Sequence, residues 1–254
     1  MAQKMDIVIP LSNKSYQGCN DEIRIAIRSI KEFCSEWVNR IFVITEYKVP
    51  DDIINDIIII KAGDIYSHEK DANIIHKIRT VIESVDDLSD DFIFWADDNF
   101  VTKITSPSDF TPRYTAKYEG KGKADLDTQA LSNTWKRRLV MTLNRFPNAK
   151  FFNPHIPSMI NKHKFIEMCN SYDYTTKHGI TVFSWYYNYI KEEGVPDFDE
   201  IHLGRSNTCN FNGCRFVGYF DAVMESHKFR ERIKELFPGF TFKSKPMMRP
   251  RIFF

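Results

Sequence analysis

No apolar run in this 254-residue chain approaches the roughly 20 residues that span a bilayer. The opening, MAQKMDIVIPLSN, carries one lysine and a short apolar stretch that breaks at Pro10, so it reads as a first strand and not as a signal peptide. A protein with no membrane partner, working in the cytoplasm, is the expectation. Internal repeats and low-complexity tracts are also missing, which excludes solenoids and fibrous classes. Cysteine is scarce. Cys19, Cys34, Cys169, Cys209 and Cys214 are odd in number and scattered, which excludes a disulfide framework and suits a reducing compartment. Cys209 and Cys214 are spaced too widely for a C-x-x-C knuckle, and no second pair accompanies them, which argues against zinc. Net charge is nearly absent, at +1.

What the chain does have is core-forming material: 43% apolar and 14% aromatic residues exclude disorder. The small net charge hides an asymmetry. Residues 1–112 hold about 12 basic and 20 acidic side chains, and the rest hold about 23 and 14. An acidic half suited to a cation is followed by a basic half suited to phosphates, although ordinary charge scatter gives the same pattern.

The first hundred residues alternate between two periods. DIVIPLS (6–12), RIFVITE (40–46), DIIIIKAGD (56–64) and DFIFWADDNF (91–100) are short, nearly continuous apolar runs and read as buried strands. Between them, NDEIRIAIRSIKEFC (20–34) places Ile23, Ile27, Ile30 and Cys34 at helical spacing, with Asn20 as its cap and acids in its first turn. EKDANIIHKIRTVIESV (69–85) likewise aligns Ile74, Ile75, Ile78, Val81 and Ile82. Alternating strands and helices predict an α/β fold, a mostly parallel Rossmann-like sheet with helices on both faces. Such sheets bind ligands beyond the carboxyl ends of their strands.

After residue 105 the pattern loosens. A long polar loop (105–129) precedes a basic helix at 131–146, then a turn into a helix at 151–172 and an aromatic helix at 181–194 ending near Gly194. EIHLGRS and CRFVGYF are short strands, SHKFRERIKELF (226–237) is a helix, and a basic, proline-broken tail follows. With no convincing break in composition, residues 1–254 read as a single domain, an α/β part at 1–104 followed by an extension at 105–254 with a basic tail.

Asp97 and Asp98 end the fourth strand, and two adjacent carboxylates repel unless a cation sits between them. Mg2+ or Mn2+ fits, because both take oxygen ligands and leave positions open for phosphates. A solvated strand end is the bland alternative. DIVIPLS followed by a strand ending in an acidic pair resembles the nucleotide-sugar domain of GT-A-type glycosyltransferases. NDEIRIAIRSI, WVNRIFVITEYKVP and DFIFWADDNF together resemble the central conserved region of the Stealth family of sugar-phosphate transferases. NPHIPSMINKHKFIEM resembles the next Stealth region. The pieces cover roughly residues 5–190. Two positions depart from the pattern. IPLSNKSYQG stands where Stealth proteins usually carry tryptophan, valine, aspartate and glycine, and Ala96 stands where an asparagine often precedes the paired aspartates.

The resemblance implies a nucleotide-sugar donor held through Mn2+ or Mg2+ at Asp97 and Asp98. His155, in the NPHIP turn, becomes a further metal ligand or phosphate contact. Asn20 and Asp21 at the first helix start, and Lys70, Asp71, Asn73 and Lys77 at the second, become donor contacts. A plain helix cap remains the alternative for each group. Trp135 and Arg138, in the basic helix, are candidate substrate contacts. A catalytic base for an inverting transfer is sought among Asp197, Asp199, Glu200, Asp125 and Asp127, with Asp199 and Asp127 foremost alongside Asp98. His202 and His227 have no such support.

The basic half suggests an acceptor. Cations interleaved with aromatics in WKRRLVMTLNR and in the tail suit nucleic acid. Some bacteriophage enzymes glycosylate hydroxymethylated DNA bases, and a compact transferase with a basic tail (Lys243, Lys245, Arg249, Arg251) would suit that task. The expectation is therefore a metal-dependent glycosyltransferase, with a hydroxymethylated base of phage DNA as one acceptor. Stealth-like sugar-1-phosphate transfer, transfer to a capsular or surface glycan precursor, and an inactive nucleic-acid-binding scaffold are the alternatives.

Overall fold

The computed structural model describes residues 4–12, 19–66, 70–114, 116–117, 134–146, 148–152, 155–175, 180–196, 201–204, 211–219 and 221–245. In 116–117, 134–137, 201–204 and 221–222 the description covers backbone only.

Strand β1 (Met5–Pro10) runs at the centre of a five-stranded sheet. It leads through α1 (Asp21–Phe33) to β2 (Val38–Ile44) and then to a short edge strand, β3 (Ile58–Ile60). The chain returns through α2 (Lys70–Ser84) to β4 (Asp91–Phe94), on the other side of β1. These four strands are parallel, and the antiparallel β9 (Ser158–Asn161) closes the far edge, giving the order β3-β2-β1-β4-β9.

Side-chain alternation explains why β1 is apolar throughout. Ile7 and Ile9 pack with Ile23, Ile27 and Ile30 of α1, whereas Val8 faces Ile75, Ile78 and Val81 of α2. Burial pushes the thiols of Cys34 and Cys169 up to about 12, so both act as packing groups, not as nucleophiles.

Three expectations are corrected. The run 91–100 is not one strand. β4 ends at Phe94, the backbone turns with Asn99 N–H donating to the Ala96 carbonyl at 3.1 Å, and β5 (Asn99–Val101) leaves for a second sheet. That sheet has the order β11-β12-β5, with β11 at Ile201–Gly204 and β12 at Phe216–Tyr219. The stretch 151–172 is more than a turn into a helix: β9 precedes α4 (Lys162–Ser171), and the Asn161 side chain accepts from Lys164 N–H to start that helix. Asn20 occupies the cap position of α1 in a left-handed conformation (φ 52°), but its side chain does not cap. Four short strands, β6 (Arg113–Tyr114), β7 (Ala116–Lys117), β8 (Lys150–Phe151) and β10 (Val195–Pro196), pair as β10-β6 and β7-β8. The remaining helices, α3 (Thr134–Asn144), α5 (Val182–Tyr189) and α6 (His227–Leu236), fall inside the stretches expected to be helical.

The second sheet shares α1 with the first. Ile25, on the opposite side of that helix from Ile23 and Ile27, packs with Phe100, Val217, Tyr219, Phe229 and Ile233. The first residues after α6 then strap across the start of α1. The fully buried Asp21 carboxylate accepts from Arg24 Nη1 (2.6 Å), Lys243 N–H (3.0 Å), Ser244 N–H (2.8 Å) and Ser244 Oγ (2.6 Å). Arg24 also donates to the Thr241 carbonyl, pairs with Asp52 and stacks on Phe240. Arg230 holds the same strap through Ser244 and Phe242.

Two stability predictions follow from these buried carboxylates. Asp21→Ala removes one of the partners of Arg24 and strands two strap amides, and should lower the unfolding free energy by about 3 kcal/mol in urea titrations. At Asp6, burial alone would raise the carboxyl. The Arg40 guanidinium and Ser89 N–H more than offset this and hold it below its usual value of 3.8. A depressed folded pKa stabilises above the unfolded value and ceases to do so as pH falls through the folded one. Asp6→Asn should therefore flatten the loss of stability below about pH 4, as read from melting temperature against pH.

Candidate active site at the carboxyl edge of the sheet

The strand order fixes where a ligand crevice opens. The chain runs from β1 outward through β2 to β3, then crosses to β4 on the opposite side of β1, so the switch point lies between the carboxyl ends of β1 and β4. Asp97 and Asp98 form the turn immediately after β4, half-buried. The turn is pinned on several sides. The Asp98 carbonyl accepts from Tyr219 N–H of β12 at 3.2 Å, and its carboxylate accepts from Asn99 Nδ2 at 3.2 Å. Trp95 Nε1 donates to the Asn99 carbonyl at 2.9 Å. A buried indole, a neighbouring sheet and a buried asparagine thus present two adjacent carboxylates at the crevice.

Other groups converge here. Asp21 and Glu22, both buried, come from the first turn of α1. Tyr219, at the end of β12, is 2% exposed. Burial holds its hydroxyl well above the usual tyrosine range, and Glu22, Asp98, Asp97 and Asp21 push it in the same direction. His155 is brought to the same turn by a close approach. It has φ 52°, and a Cβ on Gly218 would lie 2.5 Å from the His155 carbonyl oxygen and 3.2 Å from Asn99 Nδ2. Gly218 pairs in register with Asn99, so its lack of a side chain lets the His155 backbone seat beside the acidic turn.

The oxygens of Asp97 and Asp98 suit a hard divalent cation: they are adjacent, half-buried carboxylates. Among the described residues, no group of three His, Cys, Asp or Glu side chains is already arranged to hold a metal, so His155 is near the pair without completing a ligand set.

The α2 candidates form a second group, one held in structural bonds. Lys77 is 2% exposed and binds the Leu11 carbonyl (2.8 Å), just past β1, and Asp64 (2.6 Å), past β3. Asn73 makes a reciprocal pair with the Tyr66 backbone, both bonds at 2.9 Å. Asp71 pairs with Arg138 of α3 at 2.7 Å and accepts from Val182 N–H of α5. Lys70 is exposed at the helix start, and Asn20 is half-exposed before α1. Asp21 is committed to the strap described above. Asp125, Asp127, Asp197, Asp199, Glu200, Arg249 and Arg251 lie outside the described residues, as do the side chains of Trp135 and His202. His227 is an exposed partner of Glu231. In the tail, Lys243 Nζ pairs with Asp52 at 2.9 Å and Lys245 is exposed.

Sequence reasoning singled out the aspartate pair but not Tyr219 or Glu22, which bear on the same turn. Tyr219 looks like any strand aromatic in CRFVGYF, and Glu22 like a first-turn acid. Only the pairing of β12 with β5 brings them together.

Comparison with known proteins agrees with this architecture. An active-site mutant of LgtC, solved by crystallography, superposes with a TM-score of 0.51 over 91% of this chain and 95% of its own, at 12% identity. The fold is GT-A-like. Residues 17–118, which run from before α1 through β5 and include Asp97 and Asp98, match Stealth protein CR2, conserved region 2, so the resemblance read from those residues is borne out. An exopolysaccharide phosphotransferase of Streptomyces coelicolor is 31% identical over 104 residues, covering 39% of this chain and 19% of that protein. This chain thus matches about a fifth of its curated relative. Among the described residues no helix is long and apolar enough to cross a membrane.

The Gly218 contact is directly testable. Gly218→Ala places a methyl against the His155 backbone, which cannot swing aside as a flexible side chain would. It should cost about 1–3 kcal/mol in denaturant unfolding and displace the Asp98 turn.

Proposed function

We propose that this protein is a divalent-metal-dependent transferase that uses a nucleotide-diphosphate sugar as donor and delivers a sugar-bearing group to an acceptor hydroxyl. The observation that carries this reading is the Asp97–Asp98 pair on the turn after β4, beside the switch point of a parallel sheet. Asp97 and Asp98 would hold Mg2+ or Mn2+. When bound, the cation supplies positive charge to the donor diphosphate and to the departing phosphate. The chain's own part is to fix that position: the Trp95, Asn99 and Tyr219 bonds hold the turn that carries both carboxylates. His155 is proposed as a contact to phosphate or metal from the other side of Gly218.

Two transfers share this donor site and differ in the bond broken. In sugar-1-phosphate transfer, an acceptor hydroxyl oxygen bonds to the β-phosphorus. The bridging P–O bond breaks, and nucleoside monophosphate leaves with the electron pair. In glycosyl transfer the oxygen bonds to the anomeric carbon and nucleoside diphosphate leaves. In both, the hydroxyl proton passes to a base, for which Asp199 and Asp127 are proposed. The match to the Stealth region and the name of the Streptomyces relative favour sugar-1-phosphate transfer, which reverses the order of the two readings taken from sequence. They also favour a glycan acceptor. The DNA-base acceptor rested on the basic tail, of which Lys243 is committed to Asp52, and no observation on the described residues supports it further.

The product nucleotide separates the cases. Incubation with a panel of nucleotide-sugars, Mn2+ and glycan acceptors should release nucleoside monophosphate, and chelation of the metal should stop it. Release of diphosphate would establish glycosyl transfer instead, and release of neither would overturn the enzyme reading. Asp98→Asn should reduce turnover at least a hundredfold, with the melting temperature within a few degrees of the parent.

A further inference from the structure

Tyr219 is left incomplete by everything described so far. Its ring is packed against Phe100 (5.9 Å) and Phe229 (5.0 Å), and its N–H is spent on the Asp98 carbonyl. Its hydroxyl is buried and makes no hydrogen bond within the described residues. A buried phenol without a partner costs about 1–3 kcal/mol relative to one that has found an acceptor. Phenylalanine would fill the same space in this aromatic cluster without that cost. The hydroxyl also stands among carboxylates from two other elements, Asp21 and Glu22 at the start of α1 and Asp97 and Asp98 on the turn after β4.

We propose that Tyr219 is a donor-binding residue whose hydroxyl donates a hydrogen bond to a sugar hydroxyl of the nucleotide-sugar, beside the buried Glu22 carboxylate. The inference rests on the donor site placed above at Asp97 and Asp98. The chemistry selects a sugar hydroxyl over a phosphate. An anionic phosphate at this position would face the acids of α1 directly. A sugar hydroxyl accepts from the phenol and can donate its own proton to a carboxylate, so it matches both groups at once.

The test is binding of nucleotide-sugars and of the matching nucleoside diphosphate to the full chain with Mn2+, by calorimetry, for the parent and for Tyr219→Phe. The proposal expects the variant to bind the nucleotide-sugar about five- to tenfold more weakly and the nucleoside diphosphate equally well. Its melting temperature without ligand should be unchanged or raised, because an unsatisfied hydroxyl has been removed. Equal nucleotide-sugar affinity in parent and variant would overturn the role of Tyr219 while leaving the donor site standing. An equal loss for the nucleoside diphosphate would overturn the assignment to the sugar. A parent that binds no nucleotide-sugar with or without metal would overturn both the donor site and this inference. A lower melting temperature with unchanged ligand affinity would make the hydroxyl structural.

Discussion

The buried carboxylate of Asp21 is the fixed point on which the candidate site depends. It stands at the first turn of α1, where the unpaired amides of a helix start favour negative charge. Its oxygens are taken up by Arg24, by the backbone of Lys243 and by the backbone and side chain of Ser244. Arg24 extends the network to Asp52 and Thr241, so the loop after β2, the first helix and the strap after α6 share one set of bonds. Helix α1 packs on both sheets, through Ile23 and Ile27 on one side and Ile25 on the other. Fixing its first turn therefore fixes Glu22 relative to β12 and the turn after β4.

Against that frame, the acidic pair carries an electrostatic cost that the rest of the site is built to bear. Two unit charges about 4 Å apart repel by roughly 4 kcal/mol at the effective dielectric of a protein surface. Asp97, Asp98 and the α1 acids Asp21 and Glu22 all bear on the Tyr219 hydroxyl, while Lys77 is committed to Asp64 and Leu11, and Arg138 to Asp71.

Much of the frame was legible in sequence because it is local and periodic. The apolar strands β1, β2 and β4 and the isoleucine stripes of α1 and α2 follow from side-chain alternation and helical spacing. The break after Phe94 was not legible, because Trp95, Phe100 and Val101 continue the apolar run while serving different sheets. β9 was missed because four residues abutting a helix start leave no period of their own. Asp21 read as a donor contact because a first-turn acid looks exposed until its partners are known, and those partners lie 222 and 223 positions away. Tyr219 was invisible for the same reason: its neighbours come from α1 and the turn after β4. The aspartate pair could be singled out because its signal, two adjacent acids after an apolar run, is contained in one short segment.

That separation in sequence has a consequence for how the molecule is made. A chain still being synthesised can form β1, α1 and β2 early, since their contacts are close along the sequence. Asp21, however, has only Arg24 nearby until Lys243 and Ser244 leave the ribosome, and β5 waits for β12 before the turn after β4 is pinned. Contacts of such long range form late. The acidic turn is therefore fixed as one of the last events of folding, and a nascent chain can assemble most of its parallel sheet well before that turn is pinned.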